Sequence, residues 1–304
     1  MNCEQSSLST AVEELAWLNG RFIARGELLL PIDDLGFVQG VTAVERLRTW
    51  GGKIPLLARH LARFLSSADT LRIEPLPCTE EIAATLQRLV DHHFASVHFD
   101  ATTSLREPLA APDVGLTLFA TPGPAGQGKP TVVAHLNRLD HERLGRQVTF
   151  GQPLILTSIL QPPPQCWPRE IKVRSRLHYY LADMEARKSH PAAIGALVDT
   201  DGSVTEASTC NLFLVEDDQL IGPPADRVLP GIMGETVCRL AAESGMRVVR
   251  RPLWPEELRD GHVWLTGSEG GLWWASAVDG RNHPREPRLH RFQQHLREYL
   301  ESVT

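Results

Sequence analysis

The sequence has few cysteines and no long apolar run. Its five cysteines among 304 residues form no CxxC pair and no zinc-ligand spacing, which argues against a zinc site and fits thiols kept reduced in a cytoplasmic location. No apolar stretch approaches the length that crosses a bilayer, so no membrane-spanning segment is predicted. A formal net charge of −6 gives no basic surface for nucleic acid or an anionic membrane.

The length of the chain predicts two domains, because 304 residues exceed what one hydrophobic core usually holds. Residues 1–16 are acidic, lack the basic start of a signal peptide, and are expected to form a loosely held tail. Residues 17–136 are predicted to form a smaller domain. The polar stretch 137–147 is predicted to be the linker, and 148–304 the larger domain.

Helical periodicity is clear in several stretches outside the central segment. Residues 58–73 carry an apolar stripe at helical spacing, and residues 80–94 carry a second one. Pro230-Gly231 predicts a helix start, and Gly245 predicts the end of that helix. The sequence HRFQQHLREYLES predicts a final helix.

The segment from Ile171 to Glu206 holds the residues with the clearest chemical meaning. It reads IKVRSRLHYYLADMEARKSHPAAIGALVDTDGSVTE. Its first half predicts a helix, because four apolar residues share one helical face: Leu177, Tyr180, Leu181 and Met184. His190-Pro191 ends that helix, and a strand, a turn and a second strand follow. Lys172 therefore lies just before a helix and Glu206 at the end of a strand.

Lys172 and Glu206 have the chemistry that pyridoxal phosphate requires. A lysine amine whose pKa is lowered forms a Schiff base with a carbonyl cofactor. A carboxylate beside the ring nitrogen keeps that nitrogen protonated, which makes the ring an electron sink. Taken alone, each residue type is also typical of a solvated surface position. The order of the motifs that follow decides between the two interpretations.

The motifs VTEASTCNLFLV, VLPGIMGETVCRL and HVWLTGSEGG follow in that order. With Lys172 they resemble the class IV aminotransferases, the fold-type IV pyridoxal phosphate enzymes. That group includes branched-chain aminotransferases, D-amino acid aminotransferases and aminodeoxychorismate lyases. The resemblance runs from about Leu18 to Gly280. The positions that match the family pattern are Lys172, Glu185-Ala186, Glu206 with Asn211 and Phe213, Leu229 to Ile232, and Thr266 to Ser268.

The resemblance implies a mixed α+β, α/β fold with a smaller α+β N-terminal domain and a larger domain with a β-barrel-like core. It also implies a homodimer with pyridoxal 5'-phosphate as cofactor. Lys172 would be the catalytic residue. The residues that would bind the cofactor are Arg63, Glu206, Ile232, Met233, Gly267 and Ser268. No metal site is predicted, because the histidines at 92, 93 and 98 have no acidic or thiol ligand at a matching offset.

The sequence departs from the family pattern near the expected substrate pocket. It keeps Asp34, Gly36, Phe37, Gly40 and Glu45. It has Val41, Thr42 and Val44 where the family has Asp, Gly and an aromatic residue, which should reshape the pocket. Met233 replaces a threonine and keeps only the backbone donor, which lowers phosphate affinity by about 1 kcal/mol. Arg106 and Arg138 are candidates for binding the substrate carboxylate, although no motif selects either.

These observations predict an enzyme that moves an amino group between an amino acid, branched-chain type first, and a 2-oxo acid. Three alternatives stay open at this point: a D-amino acid aminotransferase, an aminodeoxychorismate-type lyase, and a protein that binds the cofactor without catalysis. The lyase would release pyruvate without a 2-oxo acid acceptor. The non-catalytic protein would show no spectral response to amino acids.

Overall fold

The computed structural model describes residues 14–102 and 113–303. The first of its two sheets has five strands, and all of them pair antiparallel. The strands of this sheet are β1 (Leu15–Leu18), β2 (Arg21–Ala24), β3 (Ala43–Arg48), β4 (Gly115–Thr121) and β5 (Thr131–Asn137). They lie in the order β2-β1-β5-β4-β3. β1 begins at Leu15, so the end of the predicted tail 1–16 is already strand.

Three helices belong to this half of the chain: α1 (Leu35–Val38), α2 (Leu57–Thr70) and α3 (Thr79–Thr102). Leu61, Phe64 and Ala68 of α2 are buried against the sheet, which confirms the predicted helical stripe. α3 runs beyond the predicted end at residue 94, because no glycine or proline interrupts the sequence that follows.

The second sheet closes on itself. Its strands are β6 (Gln152–Leu160), β7 (Ile194–Val198), β8 (Val204–Ala207), β9 (Cys210–Glu216), β10 (Gln219–Gly222), β11 (Arg247–Arg250), β12 (His262–Gly267), β13 (Gly271–Val278) and β14 (Arg281–Asn282). Six of them run β9-β12-β13-β6-β7-β8, and pairing of β8 with β9 closes the ring. This closed core confirms the predicted fold class.

Alternate side chains of β9 point to opposite faces of the sheet and belong to two different hydrophobic cores. Leu212 and Leu214 join a cluster to which all six barrel strands contribute, so they face the barrel interior. Phe213 and Val215 face the opposite side. There they pack against α6 (Ile232–Glu243) and α8 (Leu289–Ser302), whose starts match the prediction.

The remaining helices are α4 (His141–Phe150), α5 (Leu177–Ser189) and α7 (Pro255–Asp260). α4 occupies most of the stretch 137–147 that was predicted to be a linker, and it continues to Phe150. Asp140 caps this helix by accepting a hydrogen bond from the Arg143 N–H at 2.9 Å, which is a helix-start signal hidden in polar sequence. The division into two domains stays a prediction.

α5 has the apolar face that its spacing predicts, but that face points outward. Ala182 and Ala186 are buried toward β6 and β7. Leu177 is 69 % exposed and Tyr180 60 % exposed, so the large apolar side chains of α5 lie on the surface of the single chain.

Two further features of the described residues bear on the sequence analysis. Within the described ranges, no helix combines the length and apolar character that crossing a bilayer requires. The four described cysteines are free, and they are Cys78, Cys166, Cys210 and Cys238.

Candidate active site

Lys172 lies where the two sheets meet. The backbone at Lys172 runs beside the start of β3, and its carbonyl accepts a hydrogen bond from the Val44 N–H at 3.0 Å. The Lys172 N–H donates to Ser67 Oγ of α2 at 3.0 Å. The side chain is half-buried. Backbone contacts on both sides therefore fix the position of this lysine independently of its amine.

Glu206 ends its strand in a buried, fully hydrogen-bonded position. One carboxylate oxygen accepts from the Tyr179 hydroxyl at 2.7 Å and from Gln161 Nε2 at 3.2 Å. The other accepts from Asn211 Nδ2 and from the Leu229 N–H, both at 3.2 Å. Burial raises the pKa of Glu206 although these donors oppose the rise. A cationic group beside it would favour the ionised carboxylate.

All seven predicted site residues line one small cavity of about 70 Å³. They are Lys172, Glu206, Arg63, Ile232, Met233, Gly267 and Ser268. These residues come from α2, α6, β8, the end of β12 with the turn after it, and the segment before α5, so the fold gathers elements that are far apart in the sequence. The shared cavity places them together, and their individual roles stay predictions.

One end of this cavity has the donors that a phosphate group needs. Gly231 precedes α6, and no side chain caps this helix start. Only glycine fits there, because a Cβ would lie 1.7 Å from Asn211 Oδ1. The Thr266 hydroxyl is buried and has no hydrogen-bond partner among the described residues. Free backbone N–H groups at a helix start, together with an unpaired hydroxyl, form a suitable site for an anion.

Arg63 is held against the cavity by a buried carboxylate. Its Nε and Nη2 donate to Glu45 at 3.0 and 2.6 Å, and its Nη1 donates to the Pro230 carbonyl at 2.8 Å. The side chain is only 9 % exposed, so it is not a solvated surface arginine. Burial alone would raise the pKa of Glu45, but Arg63 and His60 hold that pKa well below its usual range. Glu45 thus has a structural role that the sequence did not indicate.

The environment of Lys172 increases the fraction of its amine that is unprotonated. Burial, followed by the positive charge of Arg63, lowers the pKa of Lys172 to about 8. At neutral pH about a tenth of the molecules then carry the free amine, far more than for an ordinary lysine. A neutral amine in a cavity beside a carboxylate and an anion site can form a covalent bond with a carbonyl compound.

A larger cavity of about 400 Å³ adjoins the first and shares Lys172, Arg176 and Ser268 with it. Trp273 is buried and also lines this cavity. Arg138 is exposed and lines neither cavity. Arg106 lies outside the described residues. The two predicted substrate-carboxylate candidates are therefore not placed at the site by the structure.

Sequence reasoning also missed two partners of Glu206. Tyr179 lies in the first turn of α5, and no sequence pattern distinguishes it as a residue of the site. Gln161 follows β6 and lies 45 positions from Glu206 along the chain.

No group of three or more potential metal ligands occurs within the described ranges.

The comparisons of this chain with known proteins agree on one family. The family model described as amino-transferase class IV matches residues 42–278. The chain is 28 % identical over 278 residues to branched-chain-amino-acid aminotransferase-like protein 1 of Arabidopsis thaliana, covering 88 % of this chain and 46 % of that protein. It is 24 % identical over 273 residues to D-alanine aminotransferase of Bacillus licheniformis, covering 86 % and 88 %. The chain thus spans about half the length of the Arabidopsis protein.

The fold is similar to that of solved aminotransferases. A hypothetical aminotransferase from Mycobacterium tuberculosis, solved in its PLP-bound form, superimposes with a TM-score of 0.80. The sequence identity is 22 %, and the match covers 94 % of this chain and 99 % of that one. This similarity concerns the fold, including the closed barrel.

Proposed function

The chain belongs to the class IV aminotransferases, and we propose that it transfers an amino group between an amino acid and a 2-oxo acid with pyridoxal 5'-phosphate as cofactor. The supporting observation is the small cavity lined by both Lys172 and Glu206. When bound, the cofactor supplies an electron-withdrawing ring that stabilises negative charge at the substrate α-carbon.

The residues around the cavity fit this cofactor. Glu206, whose pKa is raised by burial, would face the ring nitrogen, where a pyridinium would favour its ionised form. The N-terminal amides of α6 at Ile232 and Met233, with Gly267 and Ser268, would hold the phosphate. The Thr266 hydroxyl, which has no partner among the described residues, would add a further donor. Arg63 would add positive charge at this end.

Lys172 has two roles in this proposal. Its amine would bond covalently to the aldehyde carbon and hold the cofactor in the resting enzyme. When it is not bonded to the cofactor, the Lys172 amine would be the base that moves the proton of the substrate α-carbon. Glu45 positions Arg63 and does not touch the reacting atoms, since its carboxylate is enclosed by Arg63 and His60.

The names of several relatives indicate branched-chain amino acids as the first donors to test. The experiment is a panel of L- and D-amino donors added to the holoprotein with and without 2-oxo acids, followed by cofactor absorbance and product analysis. Transfer to a 2-oxo acid supports the proposal. Pyruvate released from added aminodeoxychorismate over many turnovers without an acceptor indicates the lyase instead, and no spectral response to any donor contradicts both activities.

The pKa of Lys172, about 8, predicts a pH dependence for cofactor capture. Below this pH the amine is protonated and cannot attack the aldehyde, whereas above it the amine is free. The capture rate of the apoprotein should rise about tenfold per pH unit up to about pH 8 and then level off. Stopped-flow absorbance at several pH values measures this rate. Lys129→Ala, which changes an exposed lysine, should keep the same profile, and a flat profile in the parent protein would contradict the assignment.

We also propose that two copies of the chain form a homodimer through the outward face of α5. Leu177, Tyr180, Leu181 and Met184 are exposed there, and a contiguous apolar patch of this kind usually marks an interface. Light scattering should give about twice the chain mass of 33.7 kDa, and Leu181→Arg should shift the protein toward the monomer. A parent protein that is monomeric at working concentration would contradict this proposal.

The cytoplasmic location is likewise a proposal. It is supported by the free thiols of the described cysteines, since reducing compartments keep cysteines in this form.

A further inference from the structure

The two oxygens of the Glu206 carboxylate have different kinds of partners. Oε2 accepts from Asn211 Nδ2 and from the Leu229 N–H, and Asn211 belongs to the same sequence motif as Glu206. Oε1 accepts from the Tyr179 hydroxyl and from Gln161 Nε2, and neither residue belongs to a motif. The matched motifs therefore do not account for the two donors to Oε1.

The hydrogen bond from Tyr179 is the shortest of the four. Its oxygens are 2.7 Å apart, a separation typical of a hydroxyl that donates to a charged oxygen. The three N–H donors are each 3.2 Å away, at the long end of ordinary hydrogen bonds. Hydrogen bonds to a charged oxygen are about twice as strong as neutral ones. Tyr179 is therefore the donor that does most to stabilise the ionised carboxylate.

The residues around the start of α5 hold the Tyr179 ring in place. The Arg176 guanidinium lies over this ring, 4.3 Å from its centroid, and a cation in that position is attracted to an aromatic face. The same guanidinium donates to the Ser208 carbonyl, just after the strand that carries Glu206. The centroid of the His178 ring is 4.1 Å from that of Tyr179. These contacts keep the hydroxyl directed at Glu206.

The electrostatics of the cavity make Tyr179 a donor and Glu206 its acceptor. Burial, and then the charge of Glu206, raise the pKa of Tyr179 well above its usual range, so the hydroxyl keeps its proton at neutral pH. Burial also raises the pKa of Glu206, and the bond from Tyr179 opposes this rise more than the Leu229 N–H or the charge of Lys172 does. Removing the hydroxyl would therefore raise the pKa of Glu206 further.

We propose that Tyr179 is a positioning residue whose hydroxyl holds the Glu206 carboxylate in place, in its ionised form, as the partner of the cofactor ring nitrogen. Both side chains line the small cavity. The inference rests on the proposed aminotransferase function, and it names a residue that acts through Glu206 and not on the substrate.

The proposal has a definite consequence for one proton. A proton between a carboxylate and a ring nitrogen lies on the group that holds it more tightly. The hydrogen bond from Tyr179 weakens the carboxylate as a base, which leaves the proton on the nitrogen. Without the hydroxyl, the balance moves toward a neutral Glu206 beside an unprotonated nitrogen. The ring then withdraws electrons less strongly.

NMR of the holoprotein without substrate tests the position of this proton. The parent and Tyr179→Phe are reconstituted with pyridoxal 5'-phosphate that carries ¹⁵N at the ring nitrogen, and the ¹⁵N chemical shift is measured at one pH. The parent should show the shift of a protonated pyridine. Tyr179→Phe, which removes only the hydroxyl, should move toward the unprotonated value.

Kinetics of the same two proteins give a second measurement. In Tyr179→Phe, kcat should fall by about ten- to a hundredfold, the range of one charged hydrogen bond. The KM for the amino donor should change by less than about twofold, because an interaction that acts on the ring and not on substrate binding lowers kcat and kcat/KM together.

Tyr299→Phe is the matched control, because Tyr299 lies on α8 and lines neither cavity. It should leave the ¹⁵N shift, kcat and KM as in the parent. An unchanged ¹⁵N shift in Tyr179→Phe would overturn the inference even if kcat fell, because a tyrosine with a purely structural role can lower kcat without moving the proton. An unprotonated ring nitrogen in the parent would overturn it too. A protein that binds no pyridoxal phosphate at Lys172 would instead overturn the proposed function, and this inference with it.

Discussion

Lys172→Ala is expected to lower the rate of amino transfer by about 10⁴-fold or more, because it removes both the covalent attachment point and the base that moves the α-proton. The fold should survive, since the Lys172 backbone is held by Val44 and Ser67 and not by the amine. Single-turnover absorbance of the reconstituted variant measures the rate. Circular dichroism and thermal melting check the fold.

The matched control for this variant is Lys129→Ala, which removes an exposed lysine in the loop between β4 and β5. It should transaminate at the parent rate. If Lys172→Ala kept the parent rate, or if both variants lost activity equally, Lys172 would not be the catalytic residue.

Glu206→Gln is expected to lower kcat by about 10²- to 10³-fold, the usual effect of removing one preorganised electrostatic contact in an active site. The amide cannot stabilise a charged ring nitrogen. Both carboxylate oxygens of Glu206 accept hydrogen bonds, from groups that include Tyr179 and Asn211. In the glutamine variant an NH₂ group takes the place of one of these oxygens and faces donors with which it cannot form a hydrogen bond. A buried donor left unpaired costs about 1–3 kcal/mol, so the melting temperature should also fall.

The rate of this variant must be measured well below its melting temperature, so that a loss of kcat is not a loss of folded protein. The control is Glu170→Gln, at an exposed position close to Lys172 in the sequence. It should change neither kcat nor the melting temperature. A Glu206→Gln variant with parent kcat would exclude a role for this carboxylate at the ring.

Hydrophobic periodicity and the order of the motifs predict those elements whose signals are local in the sequence. The helix starting after Pro230-Gly231 and the strand ending near Glu206 form as predicted, because their signals lie within a few neighbouring residues. α5 shows the limit of this approach. Its spacing gave the apolar face correctly, but periodicity cannot tell whether the rest of the same chain covers that face.

α4 was missed for a different reason. Its sequence from His141 to Phe150 is polar, and only Leu144 and Gln147 are buried. The apolar stripe was therefore too weak to identify, and the segment looked like a linker. The cap at Asp140 was the available signal.

The pairing of Glu45 with Arg63 and the backbone pairing of residues 172–174 with β3 could not be predicted from local sequence. Glu45 and Arg63 lie on different elements, and only the packing of α2 on β3 brings them together. The segment that carries Lys172 is positioned by its pairing with the start of β3. Such contacts depend on tertiary structure, which composition and spacing do not contain.

The most direct test is to reconstitute the protein with pyridoxal 5'-phosphate, reduce it with borohydride, digest it and locate the modified lysine by mass spectrometry. A reduced cofactor adduct on Lys172 is predicted, in proportion to the bound cofactor. An adduct on another lysine, or bound cofactor that borohydride fixes to no lysine, would contradict the assignment of this cavity as the active site.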